Sequence, residues 1–210
     1  MPGTRLSFAL LGLLSAATLS LQFWLNIDRR GGVGPALVSM LGFFSIWTHL
    51  VLSAVCLNVA VRIDKAWSDA RISLVTAVTY LIVFVGLAYE ILLSADHNPR
   101  GIFFVTNLLL HYVVPLGMLA LWLTVVPKGR LRFASVLPWL ALPLVYFGYV
   151  LVRGELTGRY PYFFLNVDRY GYGQVLLTAA WFTLAFVALG AGFVVLDRLL
   201  GRRRRQVEAP

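Results

Sequence analysis

Six residues combine a chemistry-bearing side chain with a position where burial is costly: Ser45, Thr48, His49, Glu90, Asn107 and His111. Each lies inside or at the edge of a long apolar stretch, where an ionisable or strongly polar group marks a functional site unless packing accounts for it. Their types are those of nucleophilic catalysis. The hydroxyl of Ser45 or Thr48 becomes a nucleophile when an imidazole takes its proton, and His111 is the expected base. Asn107, one helical turn earlier on the same face, or Glu90 would orient that ring. Asn107 or His49 would offer the N–H that an oxyanion needs. The packing explanations are equally concrete. Helical hydroxyls bond to the carbonyl a turn back, a lone histidine serves as a satisfied core residue, and a glutamate near a span end reaches for the headgroups.

Whether these groups meet depends on the elements that carry them. A bilayer core of about 30 Å requires roughly 20 apolar residues of helix. Six stretches qualify: 6–27, 35–61, 72–95, 101–126, 134–152 and 174–200. His49 and His111 sit in the second and fourth, which run in the same direction, at depths of about 21 and 15 Å from the starts of their helices at a rise of about 1.5 Å per residue. Pro115, just beyond His111, is expected to kink the fourth span and free a carbonyl near Tyr112 or His111.

The composition supports this frame. Of 210 residues, 60% are hydrophobic and only 13% charged, which excludes a soluble enzyme and a disordered chain. The net charge of +9 is spread through short connections and a basic end, so nucleic acid is not an expected partner; membrane lipids are. Cys56 is the one cysteine, so no intrachain disulfide forms. The expected fold is all-α: a polytopic membrane protein with six transmembrane helices in one bundle, residues 1–210 forming one domain.

Short connections make successive helices antiparallel neighbours. The side carrying both termini holds twelve Lys and Arg, among them Lys65 and the run from Arg202 to Arg205, against six on the other. That bias predicts cytoplasmic termini in the cell inner (plasma) membrane. The longest connection, 153–173, is rich in aromatics around Tyr160-Pro161-Tyr162, as an interfacial belt or as a lid over a lipid-facing cavity. Its Leu165-Asn166-Val167-Asp168-Arg169-Tyr170-Gly171 echoes Leu25-Asn26-Ile27-Asp28-Arg29-Arg30-Gly31, read as two similar polar turns with glycine at positive φ. His49 and His111 also raise haem ligation or, with Glu90, a metal site. The four-residue difference in depth, the lack of a second histidine pair and the lack of compact ligand spacing argue against both, and no cofactor is expected.

Four segments in order give the chain a resemblance to known proteins. They are Gly42-Phe43-Phe44-Ser45-Ile46-Trp47-Thr48-His49-Leu50, Asn107-Leu108-Leu109-Leu110-His111-Tyr112-Val113-Val114-Pro115, Leu137-Pro138-Trp139, and the stretch from Tyr160-Pro161-Tyr162 to Gly171-Tyr172-Gly173. The chain resembles the bacterial Pr6Pr membrane proteins, related to the eukaryotic androgen-induced, FAR-17a-like family. That resemblance implies six-span intramembrane hydrolases that cleave fatty-acid esters of hydroxy fatty acids with a threonine nucleophile and a histidine. The family histidine falls most naturally on His111. The threonine falls near Ser45 or Ile46, whereas the threonine of this chain is Thr48. The expected function is thus Thr/Ser–His hydrolysis of a long-chain acyl ester. A lipid-binding or scaffolding protein without turnover is the alternative, and a small-molecule carrier the third.

Overall fold

The helices form where apolar periodicity is long and end where glycine, proline or charge interrupts it. The computed structural model describes residues 2–62 and 66–207, with backbone alone for 2 and 204–207. Lys65 and the side chains of Arg204 and Arg205 therefore lie outside the described residues. In chain order the helices are α1 (Pro2–Arg30), α2 (Val33–Leu41), α3 (Phe44–Val61), α4 (Asp69–Leu92), α5 (Ile102–Leu108), α6 (Val114–Thr124), α7 (Val136–Trp139), α8 (Ala141–Thr157) and α9 (Val167–Val207). A π-helical turn, Leu109–Val113, joins α5 to α6, and single 3₁₀ turns precede α7 and α9. No strand occurs among the described residues. Six segments are long and apolar enough to cross a membrane, so the all-α, six-span architecture stands.

Three boundaries differ from the expected ones. The second span is broken into α2 and α3 at Gly42 and Phe43. Helix α8 continues to Thr157 and helix begins again at Val167, so the irregular stretch shrinks to 158–166; α9 is then interrupted at Gly171, whose φ of 74° and ψ of 159° are non-helical, and its spanning part follows that residue, near the expected start. Polar and aromatic residues there continue the helices because interfacial residues need no uniform apolarity to stay helical. Gly31 and Gly171 both take positive φ, 77° and 74°, as the echoed turns require. One turn closes α1, however, while the other opens α9, with Asn166 Oδ1 accepting the Arg169 N–H at 3.1 Å.

Helix α4 lies at the centre and packs against α3, α6 and α9. From Val75 to Ile82 it is buried on every side, and toward Glu90 the burial narrows to Val85 and Tyr89, one turn apart on a single face. A Cβ on Gly86 would lie 2.8 Å from the backbone oxygen of His111, so only glycine lets α4 approach the fourth span this closely. Gly12 does the same for α1 and α3, where a Cβ would meet Cys56 Cβ at 3.0 Å. Gly192 has nothing within 4 Å and takes no part in such a contact.

At the end of the bundle carrying the termini, Asp197 of α9 is fully buried. Its Oδ2 accepts the backbone N–H groups of Gly129, Arg130 and Leu131 at 3.0, 2.9 and 2.9 Å. Successive amides converging on one oxygen form a nest for negative charge, and this carboxylate pins the 127–133 connection to the last span. Nothing in the local sequence marks Asp197 for this role.

Candidate functional site

The break in the second span creates the first half of the site. At the end of α2, the Leu41 carbonyl accepts Trp47 Nε1–H at 2.8 Å and the Gly42 carbonyl accepts the Tyr146 hydroxyl at 2.6 Å. At the start of α3 the Phe44 N–H donates to the Tyr162 hydroxyl at 3.1 Å. Side chains thus replace the intrahelical bonds that the break removes. Ser45 becomes the second residue of α3, partly exposed at the helix mouth. Its hydroxyl makes no hydrogen bond to any described residue. Thr48 is buried, and its hydroxyl lies 2.9 Å from the Ser45 carbonyl and 3.1 Å from that of Phe44. This is the backbone bonding that helical threonines adopt.

The second half comes from the π turn. Val114 N–H reaches back five residues to the Leu109 carbonyl. In that register the Leu110 carbonyl would be served by residue 115, a proline with no N–H. The orphaned carbonyl is therefore that of Leu110, one or two residues earlier than a strictly α-helical reading predicts. His49 fills the gap: its Nε2 donates to Leu110 O at 2.9 Å. Because a carbonyl can only accept, Nδ1 is left as an acceptor, and the Ser15 hydroxyl donates to it at 2.9 Å. His49 and Ser15 are both fully buried. His49 ties α1, α3 and the fourth span together in mid-bundle, and both its nitrogens are engaged.

His111 is different. Its Nδ1–H donates to the Asn107 carbonyl at 3.2 Å, and its ring stacks on Tyr89 at 4.0 Å between centroids and 17° between planes. The backbone of Asn107, not its side chain, orients the imidazole. With Nδ1 protonated, Nε2 presents a lone pair, and it meets no described protein group. The Asn107 side chain donates through Nδ2 to the Tyr89 hydroxyl at 2.8 Å, and that hydroxyl lies 3.1 Å from His97 Nδ1. Asn107 Oδ1 is buried without a partner. Glu90 points elsewhere: it is exposed and accepts the Tyr112 hydroxyl at 2.5 Å.

Two cavities meet here. One, about 220 Å³, is apolar and runs between α4, α8 and α9, with Phe84, Phe147 and Phe182 among its walls. The other, about 1070 Å³, is a polar vestibule at the end of the bundle opposite the termini, formed by the turns around Arg29, Arg100 and Tyr162. Ser45, Tyr89, Leu92, Leu93, His111 and Tyr162 line both. Asn107 lines the vestibule only, while Thr48, His49 and Glu90 line neither. The Tyr162 phenol, pushed up to about 12 by burial, stays a neutral hydroxyl beside the Phe44 amide.

Among the candidate residues, then, the fold brings Ser45 and His111 to one junction and puts His49 and Thr48 behind it. Sequence reasoning missed Tyr89 and Ser15 as members of this site, whereas Tyr162, from the aromatic connection read as a belt or a lid, lines both cavities. Tyr89 lies one turn beyond buried Val85 on the same face of α4, with exposed Glu90 one residue off it, a face that the apolar run before them does not reveal in the sequence. Ser15 had no legible signal, because small hydroxyls are common in apolar helices.

Six spanning helices around a partly buried polar junction define a multi-pass integral membrane protein. Compared with protein-family models, curated proteins and solved structures, the chain matches none.

Proposed function

We propose that this protein hydrolyses long-chain acyl esters within the membrane, with Ser45 as nucleophile and His111 as base. The observation that carries the reading is that a free hydroxyl and a free imidazole lone pair line the same boundary between an apolar cavity and a polar vestibule. In this mechanism Ser45 Oγ attacks the acyl carbonyl while Nε2 of His111 takes its proton. The tetrahedral intermediate collapses, the C–O bond breaks, and the imidazolium returns the proton to the leaving alkoxide. Water then attacks the acyl-serine, giving its proton to His111 and releasing the acid as Oγ is reprotonated. The part of the acyl chain next to the ester lies in the apolar cavity throughout, so a substrate already dissolved in the leaflet need not enter water. Kinship with the Pr6Pr and FAR-17a-like hydrolases belongs to this proposal, with Ser45 in place of the family threonine.

The direct test is covalent labelling. Protein solubilised in detergent and treated with an alkyl fluorophosphonate is expected to carry one adduct, on Ser45, that disappears in Ser45→Ala and persists in Thr48→Val. An adduct on Thr48, or none on protein that still cleaves esters, overturns the assignment.

A second reading, lipid binding without turnover, is favoured by Tyr162. Its hydroxyl already occupies the Phe44 amide beside Ser45, where an oxyanion would need a donor. Under that reading Ser45→Ala leaves lipid binding intact and no variant affects any turnover.

In the proposed orientation both termini face the cytoplasm of the plasma membrane, as the twelve-to-six count of basic residues favours. A fluorescent protein fused after Pro210 is expected to fluoresce and alkaline phosphatase fused there to stay inactive; the opposite pattern reverses the orientation.

A further inference from the structure

The vestibule is large and carries an unbalanced charge. Arg29 and Arg30, from the last turn of α1, and Arg100, from the connection before α5, line it, and Asp96 is the one carboxylate in its wall. None of the three arginines forms a salt bridge within the described residues, although carboxylates are present at that end of the bundle. The Arg29 guanidinium instead lies over the Phe103 ring, 4.6 Å from its centroid, a contact that holds it against the wall and leaves its edge N–H groups available. Guanidinium forks match anionic oxygens bidentately. One fork saturates a carboxylate, which has two oxygens and one charge. Three forks around one space suit a phosphate, with its three or more acceptor sites and up to two charges.

The apolar cavity adds the second half of the ligand. It shares six lining residues with the vestibule, so the two spaces abut at Ser45 and His111, and a ligand with its head in one has its chain directed at the other. Its volume of about 220 Å³ is of the same order as an engineered cavity of about 150 Å³ that holds a single benzene, which limits it to part of one hydrocarbon chain.

We infer that the joined cavities form a binding site for a single-chain phospholipid, with the phosphate held by Arg29, Arg30 and Arg100 and the acyl chain entering the apolar cavity past Ser45 and His111. The inference rests on the reading that this junction takes an acyl amphiphile; it does not require Ser45 to cleave it.

The test compares three probes on purified full-length protein in an uncharged maltoside detergent: 1-oleoyl-lysophosphatidate, 1-oleoylglycerol and glycerol 3-phosphate. Wild type and Ser45→Ala are both titrated, so that consumption of the ligand is separated from its binding. Lysophosphatidate is expected to bind at least tenfold more tightly than oleoylglycerol, with the gap narrowing in 0.5 M salt as charges are screened. The triple variant R29Q/R30Q/R100Q is expected to erase the gap while changing the oleoylglycerol affinity less than twofold. The charge-conserving R29K/R30K/R100K, a check on folding, is expected to keep part of it. Equal affinities for the two lipids, or a gap that survives the triple glutamine variant, overturns the phosphate site. Glycerol 3-phosphate binding as tightly as the lysolipid makes the ligand a soluble phosphate and overturns the lipid. Discrimination without ester cleavage in wild type sinks the hydrolase and leaves this site standing; cleavage of neutral esters without discrimination does the reverse.

Discussion

Replacing His111 with alanine is expected to lower kcat for a long-chain ester by about 10³-fold, within the usual range for removing a positioned general base. KM should change little, because the acyl chain is bound by the apolar walls and not by the imidazole. The thermal unfolding midpoint should shift by only a few degrees, since the one hydrogen bond of His111 is to a carbonyl of its own helical segment. Ser45→Ala should cost a similar factor, and the double variant little more, because groups acting as one unit do not contribute additively. Thr48→Val should leave kcat nearly unchanged. Wild-type turnover by the His111→Ala protein would remove the proposed mechanism.

His49→Ala has the opposite signature. It leaves the Leu110 carbonyl without a donor, frees the Ser15 hydroxyl and opens a void where a fully buried ring had packed. Interhelical hydrogen bonds in membrane proteins average about 0.6 kcal/mol and reach about 1.7, because the unfolded chain in the bilayer finds other partners. Two of these plus the cavity give a loss of roughly 3 kcal/mol in a reversible detergent-unfolding experiment. Ser15→Ala removes one partner and no ring, so about 1 kcal/mol is expected. His49→Gln keeps a donor that can reach Leu110 O and should recover part of the loss. A His49→Ala protein as stable as wild type would show that the Leu110 carbonyl has another donor. The contrast between the two histidines separates a group that acts on a ligand from one that holds the π turn in place.

The two residues differ little as sequence. Both lie deep in apolar helices with small or hydroxylated neighbours, and a helical wheel gives either the same claim to a cavity. What distinguishes them is the register of the fourth span. An extra residue in the π turn rotates everything after it by about 100° relative to a continuous α-helix, since each residue turns a helix by one part in 3.6. It also moves the carbonyl that Pro115 orphans back to Leu110, within reach of His49. Glu90 shows a milder version. The apolar run before it singles out no face in the sequence, and the fold buries Val85 and Tyr89 while leaving Glu90 exposed.

Composition and hydropathy alone determined that this chain makes six apolar helices in one all-α bundle, that it has a basic end, and that two echoed turns place glycine at positive φ. These are consequences of local free energy: each apolar run must leave water and each turn must satisfy its own backbone. The tertiary structure decided which hydroxyl and which imidazole remain unpartnered. That depends on bonds between segments distant in the chain, where His49, Tyr146 and Tyr162 satisfy groups that helix breaks at Gly42 and Pro115 expose, and no local pattern encodes which partner arrives.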